Sequence, residues 1–140
     1  MTGQPPIAAN EAFKQFERDK FSLVAQGYDQ AIAIVTSQVD QAILDAVEAG
    51  YGKQLLDVAC KTGWLSAAAV SRQAIVTGLD YAEKMVAIAR LRCLEAEFQI
   101  GDAENLPLES GRFEAVVCSL GILHFPHPEQ AREKPNFSRI

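Results

Sequence analysis

The sequence is poor in cysteine, in basic residues and in long apolar runs, and each shortage excludes a class of protein. Cys60, Cys93 and Cys118 stand far apart in 140 residues, and they form neither a CxxC pair nor a ligand set with the two histidines. A net charge of −5 argues against binding to nucleic acid or to an anionic membrane. No apolar run reaches membrane-spanning length, and no basic leader is present. We therefore expect a cytoplasmic protein with reduced thiols, no metal site, no nucleic-acid partner and no membrane partner.

What remains is the composition of one folded domain, 49% hydrophobic and 22% charged, with enough apolar surface for a core. Two amphipathic helices are predicted first, so that residues 1–52 form an N-terminal helical segment. The first runs from an Asn10 cap to Gly27 and the second from Thr36 to Ala49. Apolar residues at helical spacing predict the buried faces of the two helices: Phe13, Phe16, Phe21 and Val24, then Val39, Ile43, Leu44 and Val47.

From residue 53 the sequence pattern changes, and short apolar runs alternate with segments of helical periodicity. Strands are predicted at residues 55–59, 75–80, 98–100 and 113–120, with helices at 64–72 and 83–90. This alternation is typical of βαβ units. We predict an α/β fold with a Rossmann-like parallel sheet and flanking helices, preceded by the N-terminal helices. The core is predicted over residues 53–128 and a truncated tail over 129–140, where Pro135 would break a helix.

Each predicted strand ends at polar or small residues, and this is where open parallel sheets bind their ligands. The four exits are Asp57–Gly63, Asp80, Gly101–Ala103 and Ser119–Gly121. Asp80 ends the second strand, where a carboxylate can accept hydrogen bonds from ribose hydroxyls. The alternative is that Asp80 caps the helix that follows, and the two roles are compatible.

Three segments make the pattern specific: LLDVACKTGWLSAAAV, VTGLDYAEKMVAIAR and FQIGDAENLPLESGRFEAVVCSLGILHF. In this order they resemble the class I S-adenosylmethionine-dependent methyltransferases, and within them the type 11 small-molecule group. The resemblance runs from about Phe16 to Ala131. It implies the N-terminal half of a seven-stranded fold, S-adenosylmethionine as cofactor and methyl transfer to a small-molecule acceptor.

The resemblance also assigns residues to the cofactor. The loop after the first strand would wrap its methionine end, Asp80 would bind its ribose, and Asp102 would accept from the adenine amino group. The exit at Ser119 would border the transferring methyl. The full predicted cofactor set is Asp57, Ala59, Cys60, Lys61, Gly63, Asp80, Tyr81, Asp102, Ala103 and Ser119.

The chain departs from the family at the pattern D-x-G-x-G-x-G, because Ala59 and Lys61 replace two glycines. We expect a positive φ at Lys61, which costs a non-glycine residue about 1–2 kcal/mol. The Lys61 charge can pair with the cofactor's carboxylate but repels its sulfonium, so weakened binding is expected. The alternative is that Lys61 points to solvent and the loop bends another way.

The sulfonium is already an activated methyl donor, so alignment of the acceptor is the main task of the protein and a general base is optional. His124, just past the fourth strand, is the best placed candidate base. The preferred alternative is a capping or loop histidine. By the same resemblance, Tyr28 and the aromatic stripe of the first helix could line an acceptor pocket, although the core interpretation is preferred.

Two other functions compete with methyl transfer. Lys61 and the missing strands favour a non-catalytic relic or a cofactor-binding module. A nicotinamide-dependent oxidoreductase fits the βαβ layout, but GxGxxG is absent while GDAENLP is present. With four of seven strands, the sheet is also expected to leave an apolar edge through which the chain could self-associate.

Overall fold

The computed structural model describes residues 7–27, 37–103 and 111–119, and a four-stranded parallel sheet is their centre. The strands are β1 (Gln54–Val58), β2 (Ile75–Asp80), β3 (Glu97–Ile100) and β4 (Ala115–Val117). The helices are α1 (Ile7–Gly27), α2 (Asp40–Ala46), α3 (Trp64–Ser71) and α4 (Glu83–Arg92), with a 3₁₀ turn, Ser37–Val39, before α2. The predicted fold class is confirmed.

The strand order is β3-β2-β1-β4, and every neighbouring pair is parallel. The chain moves outward from β1 through α3, β2 and α4 to β3, and then returns to the other side of β1 to form β4. The direction of the connections therefore reverses between β1 and β4. Such a reversal opens a crevice at the carboxyl ends of the strands, where ligands bind in open α/β sheets.

Strands β1, β2 and β4 are buried on both faces, which explains why they read as apolar runs rather than as alternating ones, whereas β3 is exposed at both of its ends. Leu55 and Leu56 follow one another in β1 and are both fully buried. The Leu55 side chain packs with Leu44 of α2 and Leu65 of α3, whereas Leu56 packs with Phe113. Helices and loops thus cover the two sides of the central strand.

The fourth strand is shorter than predicted, spanning Ala115–Val117 rather than residues 113–120. Its only described ladder is the one with β1, where Leu55, Leu56 and Asp57 provide three partners. Phe113 is buried but lies before the first paired residue. Apolar patterning marked the buried stretch, whereas hydrogen-bonded pairing decides where the strand begins and ends.

The first helix corrects two predictions. It begins at Ile7, three residues before the predicted Asn10 cap. Phe13 and Phe16 are 40% and 62% exposed, so their assignment to the core was wrong. The inward side carries Glu17, which is buried, so the face of α1 that contacts the protein is partly polar. The side chains of Phe21 and Val24, and the whole of Tyr28, lie outside the described residues.

The second helix is confirmed in place but is shorter than predicted at both ends, because a 3₁₀ turn precedes it and the chain leaves the helix after Ala46, with a positive φ at Glu48. Leu44 is fully buried, whereas Val39 is 41% exposed and does not belong to the core. Within residues 7–27, 37–103 and 111–119, no helix is long and apolar enough to cross a membrane. The predicted tail, 129–140, lies outside the described part of the chain.

Candidate cofactor site at the carboxyl edge of the sheet

The loop between β1 and α3 keeps the backbone shape of a glycine-rich loop after losing two of its glycines. Ala59, Lys61 and Gly63 have φ values of 55°, 54° and 87°, all in the left-handed region that favours glycine. The amide of Lys61 donates to Oδ2 of Asp80 at 2.9 Å, and the Gly63 amide donates to the Cys60 carbonyl at 3.0 Å. The positive φ expected at Lys61 is confirmed, and the loop curls toward the end of β2.

The Lys61 side chain turns into the space between the ends of β1 and β4, which we call the β1–β4 crevice. Its Nζ donates a hydrogen bond to the backbone carbonyl of Ser119, just beyond β4. Its charge also lowers the pKa values of Asp57 and Asp40, against the larger effect of burial. The alternative in which Lys61 points to solvent is therefore wrong, and the side chain bridges the two walls of the crevice.

Asp57 lies at the floor of the same region, near the end of β1. Its side chain is only 1% exposed and accepts a hydrogen bond from the Ser66 hydroxyl at 2.6 Å. Burial raises the pKa of Asp57 to about 7, while Ser66 and Lys61 act in the opposite direction. Asp57 thus changes its protonation near neutral pH and braces the first turn of α3 through Ser66.

Asp40 is a member of the site that sequence reasoning missed. It is buried at the start of α2, and its Oδ1 accepts from the Ser119 hydroxyl at 3.4 Å. Burial is the largest cause of its raised pKa. The only local signal in the sequence was an acidic residue at the start of a helix. Such residues are common there because the helix dipole stabilises a negative charge, so the signal does not point to a site. The contact joins residues 79 positions apart.

Asp80 ends β2 with both carboxylate oxygens engaged. Oδ1 accepts from the amide of Ala82 at 2.9 Å and Oδ2 from the amide of Lys61 at the same distance. Ala82 precedes α4 as its N-cap residue, so Asp80 braces the turn that leads into this helix. A carboxylate at the carboxyl end of the second strand is the type of group that accepts hydrogen bonds from ribose hydroxyls.

Helix α1 contacts two of the predicted cofactor residues. Lys14 Nζ lies 2.7 Å from Oδ2 of Asp102, and Arg18 Nε donates to the Tyr81 carbonyl at 3.2 Å. The Tyr81 hydroxyl donates to buried Glu17 at 3.5 Å, and burial is the first cause of the raised pKa of Tyr81. The polar side of α1 therefore lies against the ends of β2 and β3. The apolar periodicity of the helix did not indicate this orientation.

The two remaining predicted cofactor residues, Cys60 and Ala103, have side chains that are buried in the core. The Cys60 side chain is buried against Val86 and Phe98, and this burial raises its thiol pKa well above the ordinary value. Ala103 is buried next to Phe113. These two residues can face a ligand only through the backbone of their loops. None of Cys60, Cys93 and Cys118 forms a disulfide within the described residues.

The structure brings most of the predicted set to one edge of the sheet: Asp57, Ala59, Lys61, Gly63, Asp80, Tyr81, Asp102 and Ser119. His124, the candidate base, lies outside the described residues. In the described ranges no group of three His, Cys, Asp or Glu side chains is arranged to hold a metal.

These residues fit the nucleoside end of S-adenosylmethionine. Carboxylates at the ends of β2 and β3 can accept from ribose hydroxyls and from an amino group, and the left-handed loop brings backbone close to the crevice. The Lys61 amine in the β1–β4 crevice suits a carboxylate and opposes a sulfonium. The fold and the site together define a Rossmann-like α/β domain for a nucleoside-containing cofactor.

Comparisons with known proteins give the family. Residues 55–139 match the family described as a methyltransferase domain. The ubiquinone biosynthesis O-methyltransferase of Xanthomonas campestris is 32% identical over 88% of this chain and 56% of its own length. The demethylmenaquinone methyltransferase of Beutenbergia cavernae is 35% identical over 73% of this chain and 44% of its own length. The chain belongs to this family of methyltransferase domains, whose cofactor is S-adenosylmethionine.

Solved structures show the same fold. Magnesium protoporphyrin IX methyltransferase from Synechocystis, solved with bound S-adenosylmethionine, superposes with a TM-score of 0.70 at 22% identity, over 84% of this chain and 66% of its own. Phosphoethanolamine N-methyltransferase 1 of Haemonchus contortus gives 0.64 at 19% identity, over 78% and 25%. The chain spans about half the length of the curated relatives it matches.

Proposed function

We propose that this chain binds S-adenosylmethionine at the carboxyl edge of its sheet and takes part in methyl transfer to a small-molecule acceptor. The observation that carries the proposal is the loop after β1. It holds three positive φ values, two of them at non-glycine residues, and its Lys61 amide is bonded to the carboxylate that ends β2. Non-glycine residues rarely keep such a conformation unless the surrounding structure maintains it.

In this proposal the acidic residues hold the nucleoside. Asp80 accepts from the ribose hydroxyls, with Tyr81 beside it, and Asp102 accepts from the adenine amino group while the backbone at Ala103 flanks the ring. Asp102 is already the partner of Lys14, so this carboxylate shares its acceptor capacity between α1 and the adenine.

The loop after β1 and the exit of β4 hold the methionine end. The backbone at Ala59, Cys60 and Gly63 surrounds it, Lys61 pairs with its carboxylate, and Ser119 borders the methyl group. When bound, the cofactor supplies an activated methyl on a sulfonium. The protein's contribution is then to fix the donor and the acceptor in line with each other, which removes much of the entropic part of the barrier.

The acceptor is proposed only as a small molecule. The relatives differ in what their names state: ubiquinone biosynthesis, demethylmenaquinone and, for a protein of Serratia marcescens 35% identical over 76% of this chain, the malonyl group on acyl carrier protein. His124 stays a prediction as the base that takes a proton from the acceptor. The cytoplasmic location, self-association through the sheet edge and the absence of a nucleic-acid partner also stay predictions.

A second candidate is a module that binds the cofactor without transferring its methyl group. The orientation of Lys61 favours it, because the amine bridges the β1–β4 crevice to Ser119 where the resemblance places the methionine end. This candidate shares the nucleoside contacts of the first. Methyl transfer from radiolabelled S-adenosylmethionine to a panel of small acceptors separates the two.

Calorimetric titration of the chain with S-adenosylhomocysteine tests the proposed site. We expect binding by the natural chain, and a loss of at least about tenfold in Asp80→Asn, because a charged acceptor of hydrogen bonds is removed. Asp45→Asn is the matched control, since the Asp45 side chain is 72% exposed on α2 and away from the crevice. Thermal melts of all three proteins exclude misfolding as the cause. No binding by the natural chain, or equal binding by Asp80→Asn, contradicts the proposal.

A further inference from the structure

Lys61 places a positive charge inside the β1–β4 crevice, and the fold holds it there. Its φ of 54° and the bond from its amide to Asp80 fix the start of the side chain. The bond from Nζ to the Ser119 carbonyl fixes the end. A backbone carbonyl carries no net charge, so this bond orients the ammonium without neutralising it.

The acidic neighbours of Lys61 neutralise it only in part. The Asp80 carboxylate accepts from the Lys61 backbone amide, and the Lys61 charge lowers the pKa values of two further carboxyls, Asp57 and Asp40. Burial raises the pKa of both groups, and that of Asp57 reaches about 7. Near neutral pH a substantial share of the Asp57 carboxyl is therefore protonated and gives no negative charge to the crevice.

A fixed ammonium distinguishes between two ligands that differ only in charge at sulfur. S-adenosylmethionine has a positive sulfonium, whereas S-adenosylhomocysteine has a neutral thioether, and both have the same amino-acid tail and nucleoside. Any attraction between Lys61 and the tail's carboxylate is thus common to both ligands and cancels when they are compared. The repulsion between Lys61 and the sulfonium does not cancel, and a partly buried crevice screens it less than water does.

We propose that Lys61 is a specificity-determining residue that makes the site favour the neutral thioether ligand over the sulfonium ligand. The inference rests on the proposed function, since it assumes that the methionine end lies in the β1–β4 crevice. The site would retain the demethylated form of the cofactor, so turnover by this domain would depend on a separate reaction that consumes the thioether.

The test is calorimetric titration of both ligands against the natural chain and three variants. Lys61→Met removes the charge and keeps a long side chain on the same backbone, Lys61→Arg keeps the charge, and Lys61→Gly removes both charge and backbone strain. The measured quantity is the ratio of the Kd for S-adenosylmethionine to the Kd for S-adenosylhomocysteine. We expect this ratio to fall about tenfold in Lys61→Met and Lys61→Gly, the low end of the effect of one adjacent charge on an ionic equilibrium, and to stay unchanged in Lys61→Arg.

The variants also separate charge from strain. If Lys61→Gly tightens both ligands equally and Lys61→Met changes neither ratio nor affinity, backbone strain alone acts and the inference is overturned. A ratio that is equal in all four proteins overturns it as well, while leaving the proposed cofactor site intact. No binding of either ligand by any of the four overturns the proposed function and the inference together. Raising the salt concentration should reduce the ratio in the natural chain and leave it unchanged in Lys61→Met.

Discussion

The loops that leave the neighbouring strands β1 and β2 are held in shape by different interactions. The loop after β2 is held by a side chain, because the Asp80 carboxylate, only 5% exposed, accepts hydrogen bonds from two backbone amides. The exit of β1 relies on backbone shape, with three left-handed residues in five positions. The bond from the Lys61 amide to Asp80 joins the two. A loop can therefore keep a glycine conformation without glycine when a neighbouring carboxylate holds its amide.

The comparison extends to two carboxyl groups, Asp80 at the end of β2 and Asp57 one residue before the end of β1. Asp57 and Asp80 are both buried, but their donors differ. Asp80 accepts from two backbone amides, whereas Asp57 accepts from a side-chain hydroxyl, that of Ser66. The two backbone amides hold the Asp80 carboxylate for as long as the turn is folded. The stability that Asp57 contributes depends instead on whether its carboxyl is protonated. Breaking either arrangement has measurable consequences.

The largest expected effect concerns Asp57 and pH. Its pKa is raised from 3.8 to about 7 in the folded chain, so its contribution to stability is complete below pH 3.8 and is lost as the pH rises through 7. We expect this group to lower the free energy of unfolding by roughly 4 kcal/mol over that interval. Asp57→Asn cannot ionise but can still accept from Ser66. Urea unfolding at pH 5 and pH 8 should show a smaller decline for Asp57→Asn than for the natural chain.

Asp45→Asn serves as the control for the substitution itself, because it removes one exposed carboxylate, the partner of Arg72, that lies away from the crevice. Asp40 shifts in the same direction, so a residual decline remains in Asp57→Asn. An identical pH dependence in Asp57→Asn and the natural chain would contradict the raised pKa.

The second effect concerns the one glycine that the loop has kept. Gly63 has a φ of 87°, and a Cβ placed on it would lie 3.0 Å from the Cβ of Ala89 and 3.1 Å from its Cα. Gly63→Ala therefore combines left-handed strain with overpacking against α4, and we expect it to cost about 3 kcal/mol. Gly52→Ala is the matched control, since φ is 71° there and nothing lies within 4 Å of the added atom.

We expect Gly52→Ala to cost about 1 kcal/mol, the strain alone. Denaturant midpoints of both variants give the comparison. Equal losses in the two proteins would mean that the contact with Ala89 does not limit position 63, and that conformation alone retains this glycine.

The smallest effect concerns a glycine that the loop has lost. Ala59 has a φ of 55°, so Ala59→Gly should relieve strain and stabilise the chain by about 1 kcal/mol. Ala87→Gly on the exposed side of helix α4 is the same chemical change in an ordinary helical conformation, and it should destabilise by about 1 kcal/mol. A higher melting temperature in Ala59→Gly together with a lower one in Ala87→Gly would support strain at Ala59. A lower melting temperature in both variants would show that Ala59 is not strained.

Much of the site could be predicted because its signals are local. Asp80 and Asp102 follow strands that apolar runs reveal, and the D-x-G-x-G-x-G pattern marks the positions of the positive φ values even where glycine is replaced. The apolar stripe of α1 failed for a different reason. Periodicity identifies a helix with an apolar face, but it does not show which face meets the protein, and here Phe13 and Phe16 are exposed while Glu17 is buried.

The sequence by itself determined the alternation of strands and helices, the order of the strand exits and the membership of the methyltransferase family, because each depends on residues close together in the chain. Only the tertiary structure decided that Asp40 reaches Ser119 and that Lys14 reaches Asp102, contacts between residues 79 and 88 positions apart. It also decided where the Lys61 amine lies. The strand order brings β4 next to β1, and this places the Ser119 carbonyl within reach of a side chain that could otherwise have faced solvent.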